Sequence, residues 1–296
     1  MTKRKSNGKR ILFAGVNLLG DGLCTTQVVR HVRVNHPDWQ ITYVAQNEPI
    51  SQFLDGNPHI DRVIYESDRD KIRSMRGWGN FTRKHLFNVN HAFRVGTSRG
   101  LHMTQAYGEV YGVDISSRRP VLLVTDEERE KAREYLPDGP YVCISSHSWS
   151  SSVDIPEDRA GNKLWGVSKW RRLFPMIRET GYAVVSLGSN ADPKYDMPGI
   201  IELHGLPIKQ VAAILEAADG FVTIDNGLAH LGAAVNAKMV EIYPECLPEE
   251  WVKPHTDYVR IVRGYPPAIS PLSVMGALEE LISEVQRCNS GGQAAH

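Results

Sequence analysis

The chain has 296 residues, 42% of them apolar and 23% charged, a balance ordinary for a soluble globular enzyme and a length that suits two domains better than one core. The formal net charge of zero excludes a global field for nucleic acid. Cys24, Cys143, Cys246 and Cys288 form no C-x-x-C pair, so neither a disulfide framework nor a zinc site is indicated and a reducing cytoplasm fits best.

At the amino terminus, MTKRKSNGKR followed by ILFAGVNLLG imitates a signal peptide, but Asn17, Gly20, Asp21 and Gly22 stand where a small-residue cleavage site belongs. Lys3, Arg4, Lys5, Lys9 and Arg10 form either a solvated tail or a loose contact with an anionic membrane surface. No apolar run reaches the roughly 18 residues of a membrane span. Ile11 to Val16 reads as a buried strand, and Thr25, Val28, Val29 and Val32 fall at helical spacing after it. Asp21, flanked by glycines at that strand-to-helix junction, is placed where open α/β folds bind ligands, or else it is a turn carboxylate. Ile41 to Ala45 and Val63 to Tyr65 continue the strands, and their alternation with helices predicts a parallel sheet covered on both faces.

From Arg69 to His102 the pattern weakens and the charge becomes lopsided. Arg69, Lys71, Arg73, Arg76, Arg83, Lys84, Arg94 and Arg99 are interspersed with Trp78, Phe81, Phe87 and Phe93, which suits either the grip of an anionic acceptor or a mobile solvated loop. Asp68 and Asp70 spell a D-x-D without the apolar strand that a metal-binding version needs. Thr125 to Tyr135 reads as a charged helix, and the turn-rich Leu136 to Pro140 marks the expected boundary. Three parts result: residues 1–138, residues 139–271, and a closing helix with a polar tail, 272–296, whose NSGGQAAH is expected to be disordered.

In the second part Tyr141 to Ile144 opens a sheet and runs into SSHSWSSS, a hydroxyl-rich segment suited to phosphate oxygens. An amphipathic helix follows, with Trp170, Leu173, Phe174 and Ile177 on one face and Pro175 as its kink. Tyr182 to Leu187 is the next strand, with Gly188, Ser189, Asn190 and Asp192 in its carboxyl-end loop. Ile208, Val211, Ala212 and Leu215 mark a helix that leads to FVTIDNGLAHLGAAVNAKMVEIYP, a strand, turn, helix, strand unit from Phe221 to Pro244. Asp225 and Asn226 are N-cap types and Gly227 permits close backbone approach, so the helix start offers N–H groups and its positive dipole end to an anion, most plausibly a phosphate. The plainer alternative is an ordinary βαβ unit with a polar turn.

Three stretches together resemble glycosyltransferase family 9, whose familiar members are the lipopolysaccharide heptosyltransferases. ILFAGVNLLGDGLCTTQVVRHVRVNHPDWQITYV is similar to its opening strand, L-G-D turn and first helix, NPHIDRVI to the end of its third strand, and LHGLPIKQVAAILEAADGFVTIDNGLAHLGAAV to its best-known signature. The resemblance implies two Rossmann-like domains facing across a cleft, the GT-B fold, with the acceptor on the first and a nucleotide-diphosphate sugar on the second. It implies an inverting, metal-independent transfer, without a cofactor, from an ADP-heptose-like donor to an anionic saccharide or other hydroxyl acceptor. Carried onto this chain, Asp21 would be the general base and Lys163 the donor-phosphate lysine. Ser148, Gly188, Ser189, Leu206, Asp225, Asn226, Gly227, Leu228 and His230 would line the donor site. The implied setting is cytoplasmic, with the inner membrane face as a peripheral station. Tyr243 to Trp251, YPECLPEEW, departs from the family's glycine-proline-threonine loop, and Asn226 stands where threonine is usual. A GT-B sugar-nucleotide epimerase, and a non-catalytic sugar-nucleotide or nucleic-acid binding module, remain alternatives.

Overall fold

The computed structural model describes residues 8–74, 80–148 and 163–292. Lys3, Arg4, Lys5, Arg76, Trp78, the polar insertion 149–162 and the last residues 293–296 lie outside the described residues. The chain divides into two compact units, Met1–Leu123 with Glu250–Val252, and Val124–Glu249 with Lys253–His296.

The first unit holds a parallel sheet of β1 (Arg10–Ala14), β2 (Gln40–Ala45), β3 (Arg62–Tyr65) and β4 (Arg83–Leu86), ordered β3-β2-β1-β4. Its helices are α1 (Leu19–Asn35), α2 (Glu48–Leu54), α3 (Arg69–Ser74), α4 (Val89–Arg99) and α5 (Met103–Val110). β1 is central because Ile11 to Ala14 are apolar and bury completely between its neighbours. The chain leaves β1 toward β2 and β3, then returns to β4 on the other side, so the carboxyl ends of β1 and β4 flank a switch point. Gly15 is required there: its φ is +109°, and a Cβ would lie 2.6 Å from the carbonyl oxygen of Phe87.

Among its described residues the basic stretch from Arg69 to His102 contributes α3, β4 and α4 rather than a single loop. Asp68 Oδ1 accepts the N–H groups of Asp70 at 2.9 Å and Lys71 at 3.1 Å, so the D-x-D caps α3. Phe87 stacks on Phe13 with centroids 5.6 Å apart, and Phe93 meets Trp251 edge-on at 5.2 Å. Trp251 comes from the segment that departs from the family pattern. It lies over Gly96, where a Cβ would approach its ring to 2.2 Å, and its carbonyl accepts Met103 N–H at 2.8 Å.

The second unit holds a six-stranded parallel sheet, ordered β10-β9-β8-β5-β6-β7. Its strands are β5 (Tyr141–Ser145), β6 (Ala183–Gly188), β7 (Ile200–His204), β8 (Gly220–Ile224), β9 (Met239–Pro244) and β10 (Val259–Gly264). Helices α6 (Asp126–Arg133), α7 (Val167–Glu179), α8 (Ile208–Ala217), α9 (Gly227–Ala234) and α10 (Pro271–Gly292) complete it. Val222, Ile224, Val240 and Ile242 face Trp170 and Phe174 of α7 and Leu278 of α10 in one core. Each such side chain, fully buried, contributes about 1.5–3 kcal/mol.

The units part at Leu123, ahead of the Leu136 to Pro140 turn. Helix α6 belongs to the second unit because it packs on α8, with Arg129 Nε 2.7 Å from Glu216 and Lys209 Nζ 3.4 Å from Glu128. Asn289 to Gly292, read as disordered tail, continue helix α10. Among the described residues no helix is long and apolar enough to cross a membrane.

Candidate functional site

In the second unit the chain runs β5, β6, β7 in one direction and returns to lay β8 on the other side of β5, so the carboxyl ends of β5 and β8 form its switch point. Asn226 laces the two ends together. Its Oδ1 accepts the N–H groups of Leu228 at 2.9 Å and Ala229 at 3.0 Å, capping α9, and its Nδ2 donates to Ser145 Oγ and to the His147 carbonyl, both at 2.9 Å. A cap of this type contributes about 1 kcal/mol. The cap thus engages the N–H groups of Leu228 and Ala229, the second and third residues of α9.

Lys163 Nζ lies 2.5 Å from Asp225 Oδ2, and the ammonium-bearing side chain keeps 31% of its surface exposed while Asp225 is buried. A cation is thus fixed beside a helix N-terminus, which is the local chemistry that binds a phosphate. His230, on the first turn and a half of α9, is buried; burial, aided by Lys163 and opposed by Asp225, pulls its pKa below the ordinary value and keeps the ring neutral. Ser148 is buried just past His147. Gly188 ends β6, where a Cβ would lie 3.0 Å from Asp192 Oδ2 and 3.2 Å from His204. Ser189 donates its N–H to Asp192 Oδ2 at 2.7 Å, and half-buried Leu206 follows Gly205 at the end of β7.

Three groups near this edge escaped the sequence reading. His147, with Nδ1 2.8 Å from Ser146 Oγ, has its pKa lowered first by burial and also by His204, against Asp192. Both ring nitrogens of His204 are buried without a partner among the described residues. Glu241, in the middle of β9 and in register with Thr223, is 0% exposed, and neither carboxyl oxygen has a hydrogen-bond partner among the described residues. Burial, reinforced by Asp225 and opposed by Lys163, raises its pKa well above the ordinary value. A histidine inside a serine-rich run and an acid inside an apolar strand were the available signals.

In the first unit Asp21 lies in the opening turn of α1, just beyond the carboxyl end of β1, and is 7% exposed. Tyr107 Oη donates to its Oδ1 at 2.9 Å. Cys24 and Tyr43 interact with it electrostatically; burial pushes the Cys24 thiol up to about 12 and likewise raises the Tyr43 phenol, so both are neutral at physiological pH. Among the described residues no group of three or more His, Cys, Asp or Glu could hold a metal ion.

The family model for glycosyltransferase family 9 (heptosyltransferase) matches residues 69–270, a span that takes in Lys163, the strand-end loops and the Asp225 turn and leaves out Asp21. No curated protein sequence matches the chain. Among solved structures, the ADP-heptose lipopolysaccharide heptosyltransferase II of E. coli is 18% identical with a TM-score of 0.72, covering 94% of this chain and 99% of that one. The family 9 glycosyltransferase of Veillonella parvula is 19% identical, with a TM-score of 0.75 and coverage of 96% and 99%. E. coli heptosyltransferase WaaC with ADP is 15% identical, with a TM-score of 0.63 and coverage of 92% and 99%. At these identities the structural likeness establishes the fold alone, the GT-B class with two parallel sheets. The family model spans most of the chain, and on that ground the chain belongs to glycosyltransferase family 9 and is a glycosyltransferase.

Proposed function

We propose that the enzyme transfers a heptose-like sugar, with inversion, from a nucleoside diphosphate donor of the ADP-heptose kind to a hydroxyl of an anionic saccharide acceptor. The observation that carries this is the Lys163 ammonium held by Asp225 beside the N-terminus of α9. In the transfer, Asp21 takes the proton of the acceptor hydroxyl while that oxygen bonds to the anomeric carbon. The bond from that carbon to the β-phosphate oxygen breaks, and the nucleoside diphosphate leaves with the electron pair. Charge grows on the diphosphate as the bond breaks, so a lysine and a helix N-terminus stabilise the transition state more than the ground state. They supply the positive charge that a divalent cation supplies elsewhere, which supports a metal-independent transfer. Leu206, Gly188 and Ser189 would then meet the nucleoside, and Ser148 and His230 the phosphates and sugar. The likeness to heptosyltransferase II and to WaaC with ADP supports adenine as the base.

Thermal stabilisation by a panel of nucleoside diphosphates and their sugars, with and without Mg²⁺, tests the donor site. An adenine nucleotide is expected to stabilise the protein by about 2.7 kcal/mol at a hundred times its Kd, with no dependence on Mg²⁺. Lys163→Ala is expected to weaken that nucleotide by about 10- to 100-fold, since a hydrogen bond to a charged group is worth roughly 1.5–3 kcal/mol. No stabilisation by any nucleoside diphosphate would sink the assignment. Product analysis with an acceptor present separates transfer from epimerisation of the donor.

We further propose a cytoplasmic setting with contact at the anionic inner membrane face. Lys9, Arg10, Arg62 and Arg83 gather at the amino edge of the first sheet, and the Lys9 and Arg83 charges lie 5.7 Å and 5.5 Å from the Trp39 ring centre. That edge is opposite the one that carries Asp21. Cosedimentation with anionic vesicles that is lost in high salt, and absent with neutral vesicles, is the expected result; equal recovery with both would overturn it.

A further inference from the structure

Asp21 is held by a group that lies 86 residues further along the chain. Tyr107 is on α5, which packs along α1, and its side chain is fully buried with the ring edge-on to Phe87 at 5.5 Å. Its hydroxyl has a single described task, the 2.9 Å hydrogen bond to Asp21 Oδ1. A phenol this buried beside a carboxylate keeps its proton, because burial and then the charge of Asp21 hold its pKa well above the ordinary value. It therefore donates. Cys24 on α1 and Tyr43 on β2 also interact electrostatically with Asp21, both neutral, and the Tyr43 hydroxyl is engaged with Thr25 Oγ1 at 2.8 Å.

We propose that Tyr107 is a positioning residue for the transfer, one that fixes the rotation of the Asp21 carboxylate and sets its basicity by donating a hydrogen bond to the charged form. The inference rests on Asp21 being the general base. A donor to a carboxylate favours its ionised state, so the base remains ready at a lower pH than burial alone would allow. The bond also costs some proton affinity, so Tyr107 trades driving force for the fraction of enzyme in the active form. Tyr107 itself neither gains nor loses a proton during the reaction.

The pH profile of kcat/KM in wild type, Tyr107→Phe and Asp21→Asn tests this. Tyr107→Phe keeps the ring against Phe87 and removes only the donor. Its acid limb is expected to move up by about one pH unit, with the loss confined to the acid side of the profile and KM for the donor unchanged. Replacing Tyr107 by a fluorinated tyrosine, a stronger donor that preserves the packing, is expected to move the limb the other way. A purely structural role would lower the melting temperature or the plateau and leave the limb in place. An unmoved limb in both variants, with Asp21→Asn inactive, overturns the role of Tyr107 and leaves the base assignment standing. A fully active Asp21→Asn removes both.

Discussion

Asp21→Asn is expected to lower kcat by about 10²- to 10⁴-fold, the usual contribution of a positioned base, while donor affinity stays within a few-fold of wild type. Each tenfold is about 1.4 kcal/mol of barrier, so the loss corresponds to roughly 3–5.5 kcal/mol. The substitution is well suited to the question because asparagine has nearly the same shape. Its side-chain carbonyl can still accept the Tyr107 hydrogen bond at the Oδ1 position, so the opening turn of α1 has no cause to rearrange. What it removes is the capacity to take up a proton, the role proposed for Asp21. The residues proposed for the donor belong to the other unit, so a change confined to kcat separates the proposed base chemistry from nucleotide binding. Single-turnover rates with saturating donor are the direct readout. Activity within tenfold of wild type would show that another group accepts the proton.

Glu241 leads to an expected pH dependence of stability. Its carboxyl is fully buried in β9 and its pKa is raised well above the ordinary value, with burial as the largest cause. In the unfolded chain the same group ionises near pH 4.3. Between the two values the folded protein holds a proton that the unfolded chain has released. Unfolding free energy therefore falls as pH rises, by at most about 1.4 kcal/mol per pH unit. The stability is fully present below the unfolded pKa and is lost as pH climbs toward the folded one. Glu241→Gln carries no titrating group and is expected to flatten this slope, so that the variant overtakes wild type at alkaline pH. Urea unfolding at several pH values measures it, and identical slopes in the two proteins would exclude Glu241 as the source. Asp225 and Lys163 are electrostatic neighbours of Glu241, so its ionisation would add negative charge near the proposed diphosphate site.

The buried strands were legible because their signal is local. Ile11 to Ala14, Tyr141 to Ile144 and Phe221 to Ile224 are short apolar runs bounded by polar turns, and all are found within a residue or two of where the pattern put them. The Asp225-Asn226-Gly227 turn was legible for the same reason, since a cap residue acts on N–H groups two and three positions away. The family signature lies in this kind of sequence, which is why membership could be anticipated from it.

Edge elements were not legible. β4 reads RKHL, two exposed charges and two half-buried residues, and it becomes a strand because β1 offers its free edge. The Leu136 to Pro140 turn reads as a domain break, whereas the contacts of α6 with α8, which no local pattern encodes, carry Val124 to Pro140 into the second unit. Trp251 looked like part of a divergent loop and is a fixture of the first unit, over Gly96.

The sequence alone determined the fold class and the places of the central strands along the chain, because strand burial and helix capping depend on neighbours a few positions apart. Only the tertiary structure decided which groups act on one another. Lys163 meets Asp225 across 62 residues and Asp21 meets Tyr107 across 86, and Glu241 loses its solvent only when the strands beside it and the helices over them close. Charge, hydrogen bonding and desolvation act through space over a few ångströms, and the folded chain alone brings such distant residues within that range.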